Sequence, residues 1–229
     1  MHLPSPATTA DKTRIEQGLV VPAVANALPD FVLAAAFACA WIRPDLLPSG
    51  LARNLLITLL LEFIVLHSAA FMGTVAYGAA PREQRALSIL GLSALYSLFT
   101  LGFVFGFHTW WPMVSFWLLV TNRLGGVLLR QAPSGEEAAF VTRGWAGGTA
   151  CYLLAVGIST FLPVPRLGLD ADAVNALHLS GGGLWIHSPW HAFAGGALYF
   201  ALVAWNELHG WSAFRTRTTP RQTLTTTAR

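Results

Sequence analysis

Six long, mostly apolar segments constrain the fold of this chain more than any other feature. They lie at residues 18–42, 51–77, 86–108, 111–130, 144–162 and 189–208. A helix needs ~20 mostly apolar residues to cross the hydrocarbon core of a bilayer. The segments are continuously apolar, whereas strands of a membrane barrel would alternate apolar and polar residues. The sequence therefore predicts an all-α fold: a polytopic transmembrane bundle of about six helices.

The charge content supports the same class of protein. Only 11% of the residues are charged and 54% are hydrophobic, whereas ~25% of the residues of an ordinary soluble domain are charged. This composition excludes a disordered tail, a coiled coil and an ordinary soluble enzyme. The two cysteines, Cys39 and Cys151, lie inside apolar segments, so they indicate neither a disulfide framework nor a zinc knuckle. The predicted partner of the chain is the lipid bilayer.

The distribution of basic residues predicts the orientation in the membrane. With six spans both termini face the same side, and most arginines and lysines fall on that side. These are Lys12, Arg14, Arg82, Arg85, Arg130, Arg143, Arg215, Arg217, Arg221 and Arg229; the opposite side has Arg43, Arg53 and Arg166. The positive-inside rule then places both termini in the cytoplasm. The net charge of +3 is thus explained by topology, and we expect no nucleic-acid partner.

The segments outside the predicted spans complete the domain organisation. Residues 1–17 form a cytoplasmic N-terminal segment, and residues 18–210 form the six-helix transmembrane domain. The outer loop 163–188 is the longest connection, and Asp170 in it is placed to cap a short helix. Ser188-Pro189 is a typical start for the last span. The tail 211–229 is rich in threonine and arginine and is predicted to be disordered.

Small residues four positions apart indicate where helices approach each other closely. The pairs are Gly102 and Gly106, Gly144 and Gly148, and Ala192 and Gly196. We expect them to pack helices within one monomer. A homo-oligomer that uses these small-residue faces remains an alternative.

Four ionisable residues fall deep inside the predicted spans, where a charge costs ~2.5–3.5 kcal/mol on insertion scales. Asp30, His67 and Arg123 are expected at one level of the membrane, with Glu62 about one turn nearer the outside. In one interpretation Arg123 neutralises Asp30 or Glu62 and joins three helices together. In the other, these groups form a proton or ion relay in which His67 is the residue that changes its protonation.

Pro29 adds to the transport interpretation. It precedes Asp30 directly, and a proline in a span can interrupt the helix and release carbonyl groups for an ion or substrate. The pattern is therefore compatible with a break in the first span at this point, although no inverted repeat in the sequence gives transport further support. A proton-coupled transporter or carrier is the first alternative for the activity.

Histidines near the outer surface suggest a second alternative. His108 ends the third span, His187 lies in the outer loop, and His191 lies in the first turn of the last span. Three imidazoles can hold zinc or copper, which would make the chain a metal- or haem-binding membrane redox protein. No His-Glu-x-x-His or Cys-x-x-Cys motif accompanies them.

One resemblance points to an enzyme, and the topology argues against it. His191-Ala-Phe-Ala-Gly-Gly196 resembles the histidine-bearing last helix of rhomboid proteases, and Gly91-Leu-Ser93-Ala94 resembles their serine turn without its second glycine. A serine nucleophile needs its base within hydrogen-bond reach. The predicted topology puts Ser93 and His191 near opposite membrane faces, so we assign no catalytic residue.

A second resemblance covers about the first third of the chain. Its motifs are Asn26-x-x-Pro29, Trp41 and Phe63-Ile-Val-x-His67-x-x-x-Phe71. With these motifs the chain is similar to an uncharacterised family of bacterial multi-pass integral membrane proteins. The resemblance implies a bacterial inner-membrane location and no particular activity. The sequence thus predicts an integral membrane protein and leaves open its activity, its cofactors, its substrate and its oligomeric state; a purely structural or partner-binding role is a further alternative.

Overall fold

The computed structural model describes residues 9–48, 50–129, 135–179 and 182–209. This part of the chain is mostly α-helical and contains no β-strand. Residues 1–8 of the predicted N-terminal segment and the predicted disordered tail 211–229 lie outside it. The helices are α1 (Thr9–Ile42), α2 (Leu51–Ala76), α3 (Arg82–Phe107), α4 (Trp111–Leu129), α5 (Gly135–Phe161), α6 (Ala171–Ala176), α7 (Leu184–His187) and α8 (Pro189–His209).

Each of the six predicted apolar segments coincides with one long helix, which confirms the all-α prediction. Three of these helices begin earlier than the apolar segments: α1 at Thr9, α3 at Arg82 and α5 at Gly135. Backbone hydrogen bonds hold a helix together whatever its side chains are, so polar residues can extend it beyond the apolar stretch. Apolar length therefore predicted the existence of each helix better than its start.

Pro29 does not interrupt α1, so the break that the sequence pattern allowed does not occur. The helix runs without a gap from Thr9 to Ile42 and includes both Pro22 and Pro29. A proline removes one backbone hydrogen bond, and neighbouring helices and local adjustment can compensate for that loss. Released carbonyls at Pro29 therefore no longer support an ion site.

Arginines join α2 and α3 at both ends of their antiparallel hairpin. Arg53, in the first turn of α2, donates from Nη2 to the carbonyl of Phe107 at the end of α3 at 2.6 Å. Arg85, in the first turn of α3, donates from Nη1 to the carbonyl of Ala76 at the end of α2 at 2.6 Å. The last carbonyls of a helix have no partner within it and carry partial negative charge. Each arginine therefore stabilises the end of the neighbouring helix.

Helix α2 lies at the centre of the bundle, because it packs against α1, α3, α4, α5 and α8. One apolar core joins α1, α2, α5 and α8 around the fully buried Phe37, Leu59 and Phe193. A second core joins α2, α3 and α4 around Met72 and Phe116. Because α2 contributes to both cores, the residues along it face different neighbours.

The small residues of α8 pack inside the molecule, as predicted for one monomer. Gly195 and Gly196 are buried. A Cβ atom at Gly196 would overlap the ring of Phe37 on α1. Gly102 differs, because it is exposed on α3 and no atom lies within 4 Å of its would-be Cβ. Identical four-residue spacings thus have different environments in the fold.

The outer loop contains two short helices. As predicted, Asp170 caps α6, and its carboxylate accepts a hydrogen bond from the Ala173 amide at 2.8 Å. Helix α7 was not predicted. Trp41 at the end of α1 donates from Nε1 to the carbonyl of Pro165 at 2.8 Å, which holds the start of the loop against α1.

Arg43 and Asp45 form an exposed ion pair in the turn between α1 and α2. Two hydrogen bonds of 3.0 Å join the guanidinium to the two carboxylate oxygens. The hydrogen bonds to Arg43 lower the pKa of Asp45 and raise the pKa of Arg43. Since both groups are in solvent, this pair contributes little to stability.

By length and composition alone, two helices in the described residues can cross a membrane. They are α2 and α3, whose most apolar stretches have mean hydropathies of 2.2 and 1.9. Only 22% of that stretch is buried in α3, compared with 44% in α2. A core helix of a soluble protein is mostly buried, and α3 does not match that description.

Candidate functional site

A hydrogen bond between Glu62 and Tyr199 is the centre of the candidate site. Glu62 lies midway along α2 and is half-buried. Tyr199 of α8 is 2% exposed, and its hydroxyl donates to Glu62 Oε1 at 2.7 Å. A hydrogen bond to a carboxylate is about twice as strong as one between neutral groups. This contact therefore fixes the glutamate side chain inside the bundle.

Tyr152 of α5 holds Tyr199 in place. Its hydroxyl donates to the carbonyl of Leu59 at 3.2 Å, which links α5 to α2 one turn before Glu62. Its ring meets that of Tyr199 edge-on, with centroids 5.3 Å apart and planes at 79°. Edge-to-face contact is a favoured arrangement of aromatic rings. Helices α2, α5 and α8 thus each contribute one polar side chain to the site.

Asp30 of α1 completes the group that we call the acid–tyrosine cluster: Asp30, Glu62, Tyr152 and Tyr199. The Asp30 carboxylate is close enough to interact electrostatically with both Glu62 and Tyr199. It interacts in the same way with Glu207 near the end of α8. The sequence placed Asp30 and Glu62 about one turn apart in depth, and in the structure these two acids lie within electrostatic range of each other.

His67 lies beside the acid–tyrosine cluster without a hydrogen bond to it. Its Nδ1 is 3.0 Å from the carbonyl of Phe63, and because a carbonyl only accepts, Nδ1 carries the hydrogen. The imidazole packs on the Phe63 ring, with centroids 4.0 Å apart, and Phe63 in turn meets Tyr152 at 6.0 Å. His67 is thus connected to the cluster through the rings of Phe63 and Tyr152.

The structure does not bring Arg123 to either acid. The Arg123 side chain lies beside Gly73 of α2: a Cβ atom added to that glycine would be 3.8 Å from Arg123 Nη1. The guanidinium also interacts electrostatically with Tyr77. Gly73 is about three turns of α2 away from Glu62. Among the residues that the structure describes, the ion pair found is Arg43–Asp45. The interpretation of Arg123 as the counter-ion of Asp30 or Glu62 therefore loses its geometric basis.

The three outer histidines differ in their surroundings. His191 makes a hydrogen bond through Nδ1 with the carbonyl of Ser159, and its ring meets that of Trp190. His108 ends α3 with a positive φ of 51°, and His187 is exposed at the end of α7. In the described part of the chain, no three histidine, cysteine or acidic side chains are grouped to hold a metal ion.

Sequence reasoning missed Tyr152 and Tyr199, the two hydroxyl groups of the candidate site. The deep polar residues that the sequence singles out are acids, an arginine and a histidine, whereas a tyrosine hydroxyl inside an apolar helix also needs a partner when it is buried. Counting tyrosines in mid-span would have found both residues. The pairing itself depends on how the helices are rotated, which one sequence does not show.

Comparison with known proteins finds no match: no family model, no curated protein and no solved structure matches this chain. The function is therefore argued from the geometry above.

Proposed function

We propose that this chain is a bacterial inner-membrane protein that crosses the bilayer six times, with both termini in the cytoplasm. The observation that carries this proposal is the pattern of α3. Its exposed residues include Leu95, Leu98 and Phe99, whereas Ser93 and Thr100 are fully buried. A surface helix of a soluble protein has the opposite arrangement. Lipid is the solvent that suits apolar side chains outside and polar ones inside.

Other long helices support the same interpretation, because they also expose large apolar side chains. These include Phe31 and Val32 of α1, Val114 and Leu118 of α4, Leu153 and Leu154 of α5, and Trp205 of α8. The shortest of the six, α4, has 19 residues, or about 28 Å at ~1.5 Å per residue. That length is close to the thickness of the hydrocarbon core, ~30 Å. The distribution of arginines supports the cytoplasmic termini, and the bacterial origin depends on the family resemblance.

Cysteine labelling tests the embedding and the orientation. Cys39 and Cys151 are first replaced by alanine, and single cysteines are then introduced as Pro220→Cys in the tail and Asp172→Cys in α6. We expect a membrane-impermeant maleimide to label intact cells at position 172 but not at position 220. Alkaline carbonate should leave the protein in the membrane pellet. Release by carbonate would contradict the embedding, and labelling at position 220 would contradict the orientation.

The activity that the geometry supports best is proton-coupled transport through the acid–tyrosine cluster. Glu62 and Asp30 are two carboxyl groups within electrostatic reach of each other, and no arginine is paired with them among the described residues. Two negative charges within this range repel each other. Intramembrane acids of this kind form proton relays in pumps and transporters. Tyr199 supplies a hydroxyl through which a proton can reach Glu62.

Proton uptake into liposomes tests this activity. Purified protein is reconstituted with a pH-sensitive dye inside, and an outward potassium gradient with valinomycin makes the interior negative. We expect uptake with the natural chain and loss of roughly tenfold or more in Glu62→Gln, because a positioned proton-transfer group contributes ~10²–10⁴-fold to a rate. Glu83→Gln, at an exposed position in the first turn of α3, is the matched control and should not change uptake.

Two further variants separate the possible routes of the proton. Tyr199→Phe keeps the ring and removes the hydroxyl, so it should slow uptake if the proton passes through that group. His67→Ala should have a smaller effect, because the hydrogen bond of the His67 ring goes to the Phe63 carbonyl and not to a side chain of the cluster. Equal uptake by Glu62→Gln and the natural chain would contradict the transport proposal while leaving the embedding intact.

A further inference from the structure

Two arginine side chains gather at the last turn of α2, away from the acid–tyrosine cluster. Arg85 of α3 donates to the carbonyl of Ala76. Arg123 of α4 lies against Gly73, which has no side chain there, and interacts with Tyr77. Gly73, Ala76 and Tyr77 all lie within about one turn of α2. We call Arg85 and Arg123 the α2-end arginine pair.

Both arginines have a donor that the described residues leave without an acceptor. Arg85 is 9% exposed, and its Nε atom is buried and makes no hydrogen bond there. The Nε atom of Arg123 is also buried and makes no hydrogen bond with the described residues. A buried donor without a partner costs the full desolvation of that group. Arg53, at the other end of the α2–α3 hairpin, also has a buried Nε without a partner, but at the last turn of α2 two cations with such a donor contact the same helix end, and an acceptor with negative charge would satisfy both.

The described side chains near this end of α2 do not supply that acceptor. Glu83 is exposed in the first turn of α3 and makes no ion pair with either arginine in this part of the chain. Glu62 is about three turns away along α2 and accepts its hydrogen bond from Tyr199. The carbonyl of Ala76 satisfies only one nitrogen of Arg85.

We propose that the α2-end arginine pair binds the phosphate group of an anionic phospholipid from the cytoplasmic leaflet. The planar guanidinium matches the spacing of phosphate oxygens and can donate two parallel hydrogen bonds. Basic pockets between transmembrane helices on the cytoplasmic side are typical sites for such headgroups. The long side chain of Arg123 reaches from within α4 toward the end of α2, as arginines do when they approach the membrane surface. This inference rests on the proposed membrane embedding.

Native mass spectrometry of the full chain in detergent tests the proposal. Phosphatidylglycerol and phosphatidylcholine are added at equal concentrations, and the lipid that stays bound is counted. An arginine near the surface favours an anionic lipid by about fivefold, so the natural chain should prefer phosphatidylglycerol by roughly 30-fold. Arg123→Gln should reduce that preference by about fivefold. Arg82→Gln, an exposed neighbour at the same end of α3, is the control and should reduce the preference clearly less than Arg123→Gln does.

Several outcomes would overturn the lipid site. Equal retention of the two lipids excludes it, and an equal loss in Arg82→Gln and Arg123→Gln indicates diffuse surface attraction. Displacement of the bound lipid by inorganic phosphate at equal concentration identifies a free-anion site. Arg85→Gln removes a helix contact, so Arg85→Lys accompanies it, and monodisperse elution is required of every variant. Because the lipid count is made in detergent, a failure here is distinct from release of the protein by carbonate.

Discussion

Gly196→Ala should destabilise the bundle strongly, because the added methyl group would overlap the ring of Phe37. That ring is fully buried and stacks on Phe200 at 5.4 Å, so it has no free space to enter. Overpacking a core by this amount costs ~1–3 kcal/mol, and a larger residue such as leucine should prevent folding. We expect a lower thermal midpoint in detergent, measured by fluorescence-detected size exclusion.

Gly102→Ala is the matched control for that prediction. Gly102 belongs to the same type of four-residue pattern, yet nothing lies within 4 Å of its would-be Cβ. Alanine is favoured over glycine in a helix by ~0.8–1.0 kcal/mol, so this variant should be as stable as the natural chain or more stable. If Gly102→Ala were as damaging as Gly196→Ala, the packing of α1 against α8 would not be the cause.

Leu95→Arg should sharply reduce the amount of protein in the membrane. Leu95 is 52% exposed near the middle of α3. A charge at that depth costs ~2.5–3.5 kcal/mol on insertion scales if the helix faces lipid. The same change on the surface of a soluble protein would cost no more than ~0.5 kcal/mol. The measurement is the protein yield in the membrane fraction, together with the thermal midpoint in detergent.

The variant Leu87→Arg tests whether the loss of protein in Leu95→Arg is caused by the depth of the charge in the membrane or by the charge alone. Leu87 is even more exposed, at 71%, but it lies near the start of α3. From there an arginine can extend its charged end to the membrane surface. The yield of the Leu87→Arg protein in the membrane fraction should therefore stay near that of the natural chain. Similar yields for Leu87→Arg and Leu95→Arg would contradict the proposed lipid contact of α3.

The helices were predictable from the sequence, since an uninterrupted apolar stretch of ~20 residues has few other stable structures. The start of α8 after Ser188 and the cap at Asp170 were predictable as well, because capping depends on residues close together in the chain. The effect of Pro29 on α1 was not predictable from the sequence, because neighbouring helices decide whether a proline breaks a span. The early starts of α1, α3 and α5 lie in polar stretches that hydropathy does not detect.

The candidate site was only partly predictable. Asp30 and Glu62 stand out as acids in apolar segments, and the structure places them within electrostatic range of each other. Tyr199 stands 137 positions from Glu62 in the chain, and only the rotation of α8 against α2 pairs them. Arg123 fits an acid partner by depth alone, yet it contacts α2 at Gly73, about three turns away from Glu62 along the helix.

The sequence by itself determined that this chain is helical, where its long helices lie and which ionisable groups lie inside them. Those properties depend on residues that are neighbours along the chain. Only the tertiary structure decided that Glu62 meets Tyr199, that Arg123 and Arg85 each contact the end of α2, and that Gly196 but not Gly102 is packed. Each of these depends on the rotation of one helix against another, which the packing of side chains such as Phe37 sets and which hydropathy does not encode.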